Sequence, residues 1–166
     1  TDIESRLDAG TSVTVTTTNG VGAENGSILV NEPIDVTGAT PGTLTLQADK
    51  NIYVNANITS SNGPLNLVFV ANKSNTRGSV AIFNSATIST KGGNVWIGGG
   101  SGTAAWKTLT VGDGGGVGNN SEDFFTGISG SGPIDNRRGA TVAGVLNAEG
   151  GDIYIHGQNG NIVGAR

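Results

Sequence analysis

The feature that most constrains this chain is a short apolar–variable–apolar triplet that recurs on three interleaved tracks. The first track, A, holds Val13-Thr14-Val15, Leu44-Thr45-Leu46, Leu65-Asn66-Leu67, Val95-Trp96-Ile97 and Ile153-Tyr154-Ile155. Track B holds Ile28-Leu29-Val30, Ile52-Tyr53-Val54, Val80-Ala81-Ile82, Leu109-Thr110-Val111 and Ile162-Val163. Track C starts at Ile34, Ile58, Ile88 and Leu146. A period of two is the pattern of a strand that buries one side. Turn-forming residues such as Gly63-Pro64, Gly92-Gly93-Asn94 and Gly150-Gly151-Asp152 precede most members of track A.

Read along the chain, the order is A-B-C four times and then A-B. The C-to-A steps are 10, 7, 7 and 7 residues and the A-to-B steps 15, 8, 15, 14 and 9. The B-to-C steps are 6, 6, 8 and then 37, and the last of these marks a large insertion in the fourth turn. A complete minimal turn, Leu44 to Leu65, takes 21 residues. Such a unit cannot bury its apolar side alone, but stacked units share one continuous column. The expected fold is all-β: a right-handed parallel β-helix of about five three-strand turns, with strands in adjacent turns about 4.8 Å apart. An antiparallel sandwich also has short alternating strands, yet it does not require matching residues at nearly fixed offsets on three tracks.

The whole of 1–166 reads as one module, with a helical cap over 1–11, regular turns over 12–111, an insertion over 112–140 and final turns over 141–166. Ile3 and Leu7 lie four residues apart before a Gly10 stop, which predicts a short amphipathic helix over the open end of the first turn. At the other end Ile162-Val163 precedes Gly164-Ala165-Arg166 with no capping element. That predicts a longer parent chain or a neighbouring subunit beyond it.

Composition narrows the function classes. There are 29 glycines, no cysteine, no methionine and a net charge of −4. Without cysteine there is no disulfide, thiolate metal site or Cys nucleophile. Without a Lys/Arg cluster, nucleic acid is not an expected partner. No apolar run approaches the roughly 20 residues that span a bilayer.

The segment Ile3-Glu4-Ser5-Arg6-Leu7-Asp8-Ala9-Gly10-Thr11-Ser12-Val13-Thr14-Val15-Thr16-Thr17 resembles a helix-then-strand segment of filamentous-haemagglutinin-like adhesins. Thr43-Leu44-Thr45-Leu46-Gln47-Ala48-Asp49-Lys50-Asn51-Ile52-Tyr53-Val54-Asn55-Ala56-Asn57-Ile58 is similar to their repeat, and the likeness covers residues 1–98 best. The resemblance implies a secreted bacterial surface protein, exported by two-partner secretion or a similar route, with a role in adhesion or biofilm. It carries no catalytic residues.

The variable position of track A reads Thr14, Thr45, Asn66, Trp96 and Tyr154, which sets two aromatic residues on neighbouring turns. Trp96, Tyr154 and Asn66 are therefore candidates for an outer-face platform that stacks on sugar rings or partner side chains. Alternatively, the segment with Trp106, Phe124 and Phe125 folds back over them, and those three are the candidate contacts of the insertion. Asp113, Glu122, Asp123 and Asp135 offer oxygen ligands for Ca²⁺, although their spacing matches neither an EF-hand nor the nonapeptide Gly-Gly-x-Gly-x-Asp repeat. An acidic solvated loop is the plainer reading, so no cofactor is expected. His156 is the single histidine, and neither outer track pairs an acid with a base.

The function expected is a non-catalytic structural or adhesive module at the bacterial cell surface, with a surface glycan or protein receptor as partner. The first alternative is a filament subunit that stacks on other copies end to end. The second is a polysaccharide-processing β-helix enzyme.

Overall fold

The computed structural model describes residues 1–17, 26–73, 78–100, 103–112, 140–156 and 162–164. One helix, α1 (Asp2–Asp8), precedes the strands. The strands follow as β1 (Val13–Thr16), β2 (Ile28–Val30), β3 (Ile34–Val36), β4 (Thr43–Gln47), β5 (Ile52–Val54) and β6 (Ile58–Ser60). Next come β7 (Asn66–Ala71), β8 (Val80–Ile82), β9 (Thr87–Ser89), β10 (Val95–Gly99), β11 (Thr103–Trp106) and β12 (Leu109–Gly112). The last are β13 (Ala140–Val142), β14 (Val145–Asn147), β15 (Ile153–Ile155) and β16 (Ile162–Gly164).

Fourteen of these strands form three parallel sheets, in which successive strands fall in different sheets, and β11 and β12 pair with each other in a fourth. Sheet A runs β1-β4-β7-β10-β15, sheet B β2-β5-β8-β13-β16 and sheet C β3-β6-β9-β14. The architecture is mostly β and solenoid-like, with strands stacked in parallel.

Track C lies where its spacing placed it: Ile34 pairs with Ile58, Ile58 with Ile88, and Ile88 with Leu146. Track A is correct at four of its five strands and slips by two at the third, β7. Leu44 and Val95 both pair with Leu67, not with Leu65. Leu65, Leu67, Phe69 and Ala71 are all fully buried, so the alternating run continues past the triplet. A slip of two leaves every side chain on its face, and only inter-turn contacts choose the register. One such contact is the Asn94 N–H donating to Asn66 Oδ1 at 3.0 Å.

Track B needs a larger correction. Leu109–Gly112 is not in sheet B but pairs antiparallel with Thr103–Trp106 in a hairpin. The fourth strand of sheet B is Ala140–Val142, matched to Val80–Ile82 below and Ile162–Gly164 above. The hairpin mimics the track because it too buries alternate residues, and alanine at the start of the true strand is a weak apolar signal. The 37-residue step disappears in consequence. Ala140 to Leu146 is 6 residues, and the long segment lies between Val95 and Ala140, a step of 45. Every large change of turn length then falls between a strand of sheet A and the next strand of sheet B. Of the expected insertion over 112–140, residues 113–139 lie outside the described residues.

The inward rows merge into one apolar cluster that includes Leu7, Leu44, Leu46, Ile58, Phe69 and Ile97. Each such side chain contributes about 1.5–3 kcal/mol when fully buried. Between sheets C and A the backbones of successive turns touch. A Cβ at Gly93 would overlap the Leu65 carbonyl, and one at Gly151 the Gly93 carbonyl. Only glycine fits at such an approach.

Helix α1 is fixed at its start by a capping box, in which the Thr1 hydroxyl accepts the Glu4 N–H and the Glu4 side chain binds the Thr1 amino group. The Thr1-Asp2-Ile3-Glu4 order is the sequence signal for that motif. Leu7 enters the core. On the side facing the strands, Glu4 Oε1 accepts the Asp35 N–H at 2.9 Å. Asp8 Oδ1 accepts the N–H groups of Thr37 at 2.7 Å and Gly38 at 2.9 Å. Thus two carboxylates satisfy backbone donors along the free edge of sheet C, where a further strand would otherwise pair. The Asp35 N–H, followed by the terminal amino group, holds the Glu4 carboxyl below its ordinary pKa.

Candidate functional site

The outer row of sheet A reads Thr14, Thr45, Val68, Trp96 and Tyr154 in register. Val68 takes the position expected for Asn66. Asn66 lies opposite Thr43, and its side-chain oxygen is committed to the Asn94 N–H. The Asn94 side-chain oxygen accepts the Asp152 N–H in turn, at 3.0 Å, so Asn66 begins a polar ladder between turns.

Trp96 and Tyr154 are neighbours, as the spacing placed them, but their exposures differ. The rings stack with centroids 6.0 Å apart and planes 9° from parallel. Trp96 is 2% exposed and Tyr154 38%. Trp96 owes its burial to the β11–β12 hairpin, which folds over the outside of sheet A. Leu109 and Val111 of the hairpin form a second apolar cluster with Val68, Val70 and Trp96, and Trp106 packs against it. Of the two readings of the aromatic pair, the covered one therefore describes Trp96. The indole lies across Gly98, where any side chain would collide with the ring. A glycine two positions after an outward tryptophan is the sequence signal for this arrangement.

The hairpin closes through Lys107 and Thr108, both at positive φ (48° and 69°). Two left-handed residues make the tight turn that suits twisted strands, but glycine and asparagine favour it far more than a β-branched threonine does. The turn brings the Lys107 ammonium 2.9 Å from an Asp152 carboxylate oxygen, at a solvent-exposed pair. It also sets Trp106 against Tyr154, with centroids 5.8 Å apart at 44°. His156 meets the same tyrosine edge-on at 6.0 Å. The resulting surface is Tyr154 bordered by Trp106, His156 and the Lys107–Asp152 pair. An aromatic patch with a donor and an acceptor at its rim suits a ligand that has both apolar faces and hydroxyl groups.

Phe124, Phe125, Asp113, Glu122, Asp123 and Asp135 lie outside the described residues. Among the described residues, no group of three or more His, Cys, Asp or Glu side chains is placed to hold a metal ion. No helix among them is long and apolar enough to cross a membrane. The outer row of sheet B is also covered at Tyr53 and Ala81, 4% and 0% exposed. At the α1 end an apolar cavity of about 290 Å³ opens between the helix and β2, lined mainly by Ile3, Val15, Ile28, Val30, Ile34 and Leu46. No family model, no curated protein and no solved structure matches this chain.

Proposed function

We propose that this chain is a non-catalytic structural and adhesive module of a secreted bacterial surface protein. In this reading it is a right-handed parallel β-helix of about five turns, a rigid column about 20–25 Å long. The repeating assignment of consecutive strands to sheets A, B and C supports it most directly. Stacked turns bury the apolar rows and leave the corners and outer faces to vary. The likeness of residues 1–98 to haemagglutinin-type repeats supports the extracellular setting. The partner is a surface glycan or a protein receptor, met at the Tyr154–Trp106 surface.

Retention of the purified chain on surfaces coated with glycans or extracellular-matrix proteins tests the proposal. The expected result is retention on at least one surface and its loss in Trp106→Ala, with the circular dichroism unchanged. Absence of retention on every surface, or retention indifferent to Trp106, counts against it.

A further inference from the structure

Asparagine followed by glycine is the most readily deamidated pair in a polypeptide, because no Cβ on the glycine hinders its nitrogen from attacking the asparagine Cγ. The chain has four such pairs, at Asn19, Asn25, Asn62 and Asn159. Asn62-Gly63 lies within the described residues, and the other three asparagines lie outside them. Asn62 is exposed in the turn between β6 and β7, so water and hydroxide reach it. Its amide nevertheless reaches back to the preceding turn, where Nδ2 donates to the Thr37 carbonyl at 2.9 Å. Gly63 is buried and held on several sides. An added Cβ there would overlap the Ala39 carbonyl, so the backbones of the two turns touch. The buried Ser60 hydroxyl donates to the Gly63 carbonyl at 2.6 Å. Pro64 keeps the residue before it in extended conformations.

We propose that Asn62-Gly63 is a deamidation site that the stacked turns hold inactive and that reacts when the chain unfolds. In the reaction the Gly63 nitrogen gives its proton to hydroxide and bonds to Asn62 Cγ. The Cγ–Nδ2 bond breaks, and ammonia leaves with a proton taken from water. Water then opens the cyclic imide at either carbonyl, giving aspartate or isoaspartate and one new negative charge. Ring closure requires the peptide between residues 62 and 63 to turn until its nitrogen faces Cγ. In the folded chain that turn pulls the amide off Thr37 and moves Gly63, which Ala39 and Ser60 hold in place. The products do not fit the corner either. Aspartate sets a carboxylate oxygen toward the Thr37 carbonyl oxygen, with no donor between them. Isoaspartate lengthens the main chain by a methylene beside a glycine that has no spare room. A chain that stays unfolded is thus altered at a position that its own refolding needs intact. The inference goes beyond the adhesive reading and does not depend on it.

Peptide mapping by mass spectrometry, with separation of aspartyl from isoaspartyl products, tests this site. The purified chain is held in mildly alkaline buffer, with and without enough urea to unfold it by circular dichroism. In urea Asn62 should react at a rate similar to Asn19, Asn25 and Asn159, since glycine follows each. Without urea its rate should fall by about tenfold or more, because the corner must first open. No reaction at Asn62 in urea, or equal rates in the two conditions, overturns the proposal. A second measurement follows the products. After urea treatment and dilution, a brief protease pulse separates refolded chains, which resist it, from those that are digested. The refolded fraction should be depleted of isoaspartate at position 62 relative to the digested one. Equal content in the two fractions also overturns the proposal, since it shows that the altered corner still stacks.

Discussion

The Trp96 indole and the Tyr154 ring lie face to face on adjacent turns, 9° from parallel, yet the first is buried and the second open to solvent. The difference comes from the β11–β12 hairpin, which lays Leu109 and Val111 over the tryptophan and brings only Trp106 to the tyrosine. One ring belongs to a packed layer and the other to the surface above it.

Trp96→Ala should therefore act as a core truncation, lowering stability by about 3–5 kcal/mol. Half-buried Trp106→Ala should cost less, about 1–2 kcal/mol of lost apolar burial. Urea unfolding followed by circular dichroism separates the two. Equal losses would show that the hairpin does not shield Trp96.

Gly93→Ala should abolish the folded state at ordinary temperature, because the added methyl meets the Leu65 carbonyl and neither backbone can retreat from a ladder. Gly150→Ala meets no atom within 4 Å but sits at a φ of 103°, so it should cost only about 1–3 kcal/mol. Thermal melts of the two variants check the contrast.

Thr108→Gly relieves a β-branched residue from a φ of 69° and should raise stability by about 1 kcal/mol. The melting temperature reads this directly. A decrease would mean that the threonine side chain contributes more than its backbone strain costs.

Acid should loosen the α1 end first. The folded pKa of Glu4 lies below its ordinary value of 4.5, chiefly through the Asp35 N–H. Its contribution is thus present above that value and is lost as pH falls through the folded one. Glu4→Gln should flatten this part of the stability profile. Protection of the Asp35 amide, taken relative to its intrinsic exchange rate at each pH, should fall earlier on acidification than protection of the Ile82 amide in the core.

Alternation placed most strands in the correct sheet because burial on one side imposes it, and track C, with four well-separated isoleucine or leucine anchors, could be read without error. The register at Leu65/Leu67 could not, since a run that alternates through Ala71 fits equally well two residues along. Ala140–Val142 was hidden because a small first residue suffices inside a narrow column. The candidate site divides in the same way. The Trp96–Tyr154 adjacency follows from strand spacing, whereas burial of Trp96 depends on a hairpin whose triplet looks like another turn. Gly98 and the Lys107-Thr108 turn carried the missing information.

Confinement of length changes to the passage from sheet A to sheet B has a consequence for how such a protein can vary. Adding turns lengthens the stack of strands, and adding residues at that corner lengthens a connection without shifting the strands it joins. Because the other two corners keep their lengths within 6 to 10 residues, neither change disturbs the other. Stack height and connection length can therefore diverge separately in chains built on this plan, with the apolar column left as it is.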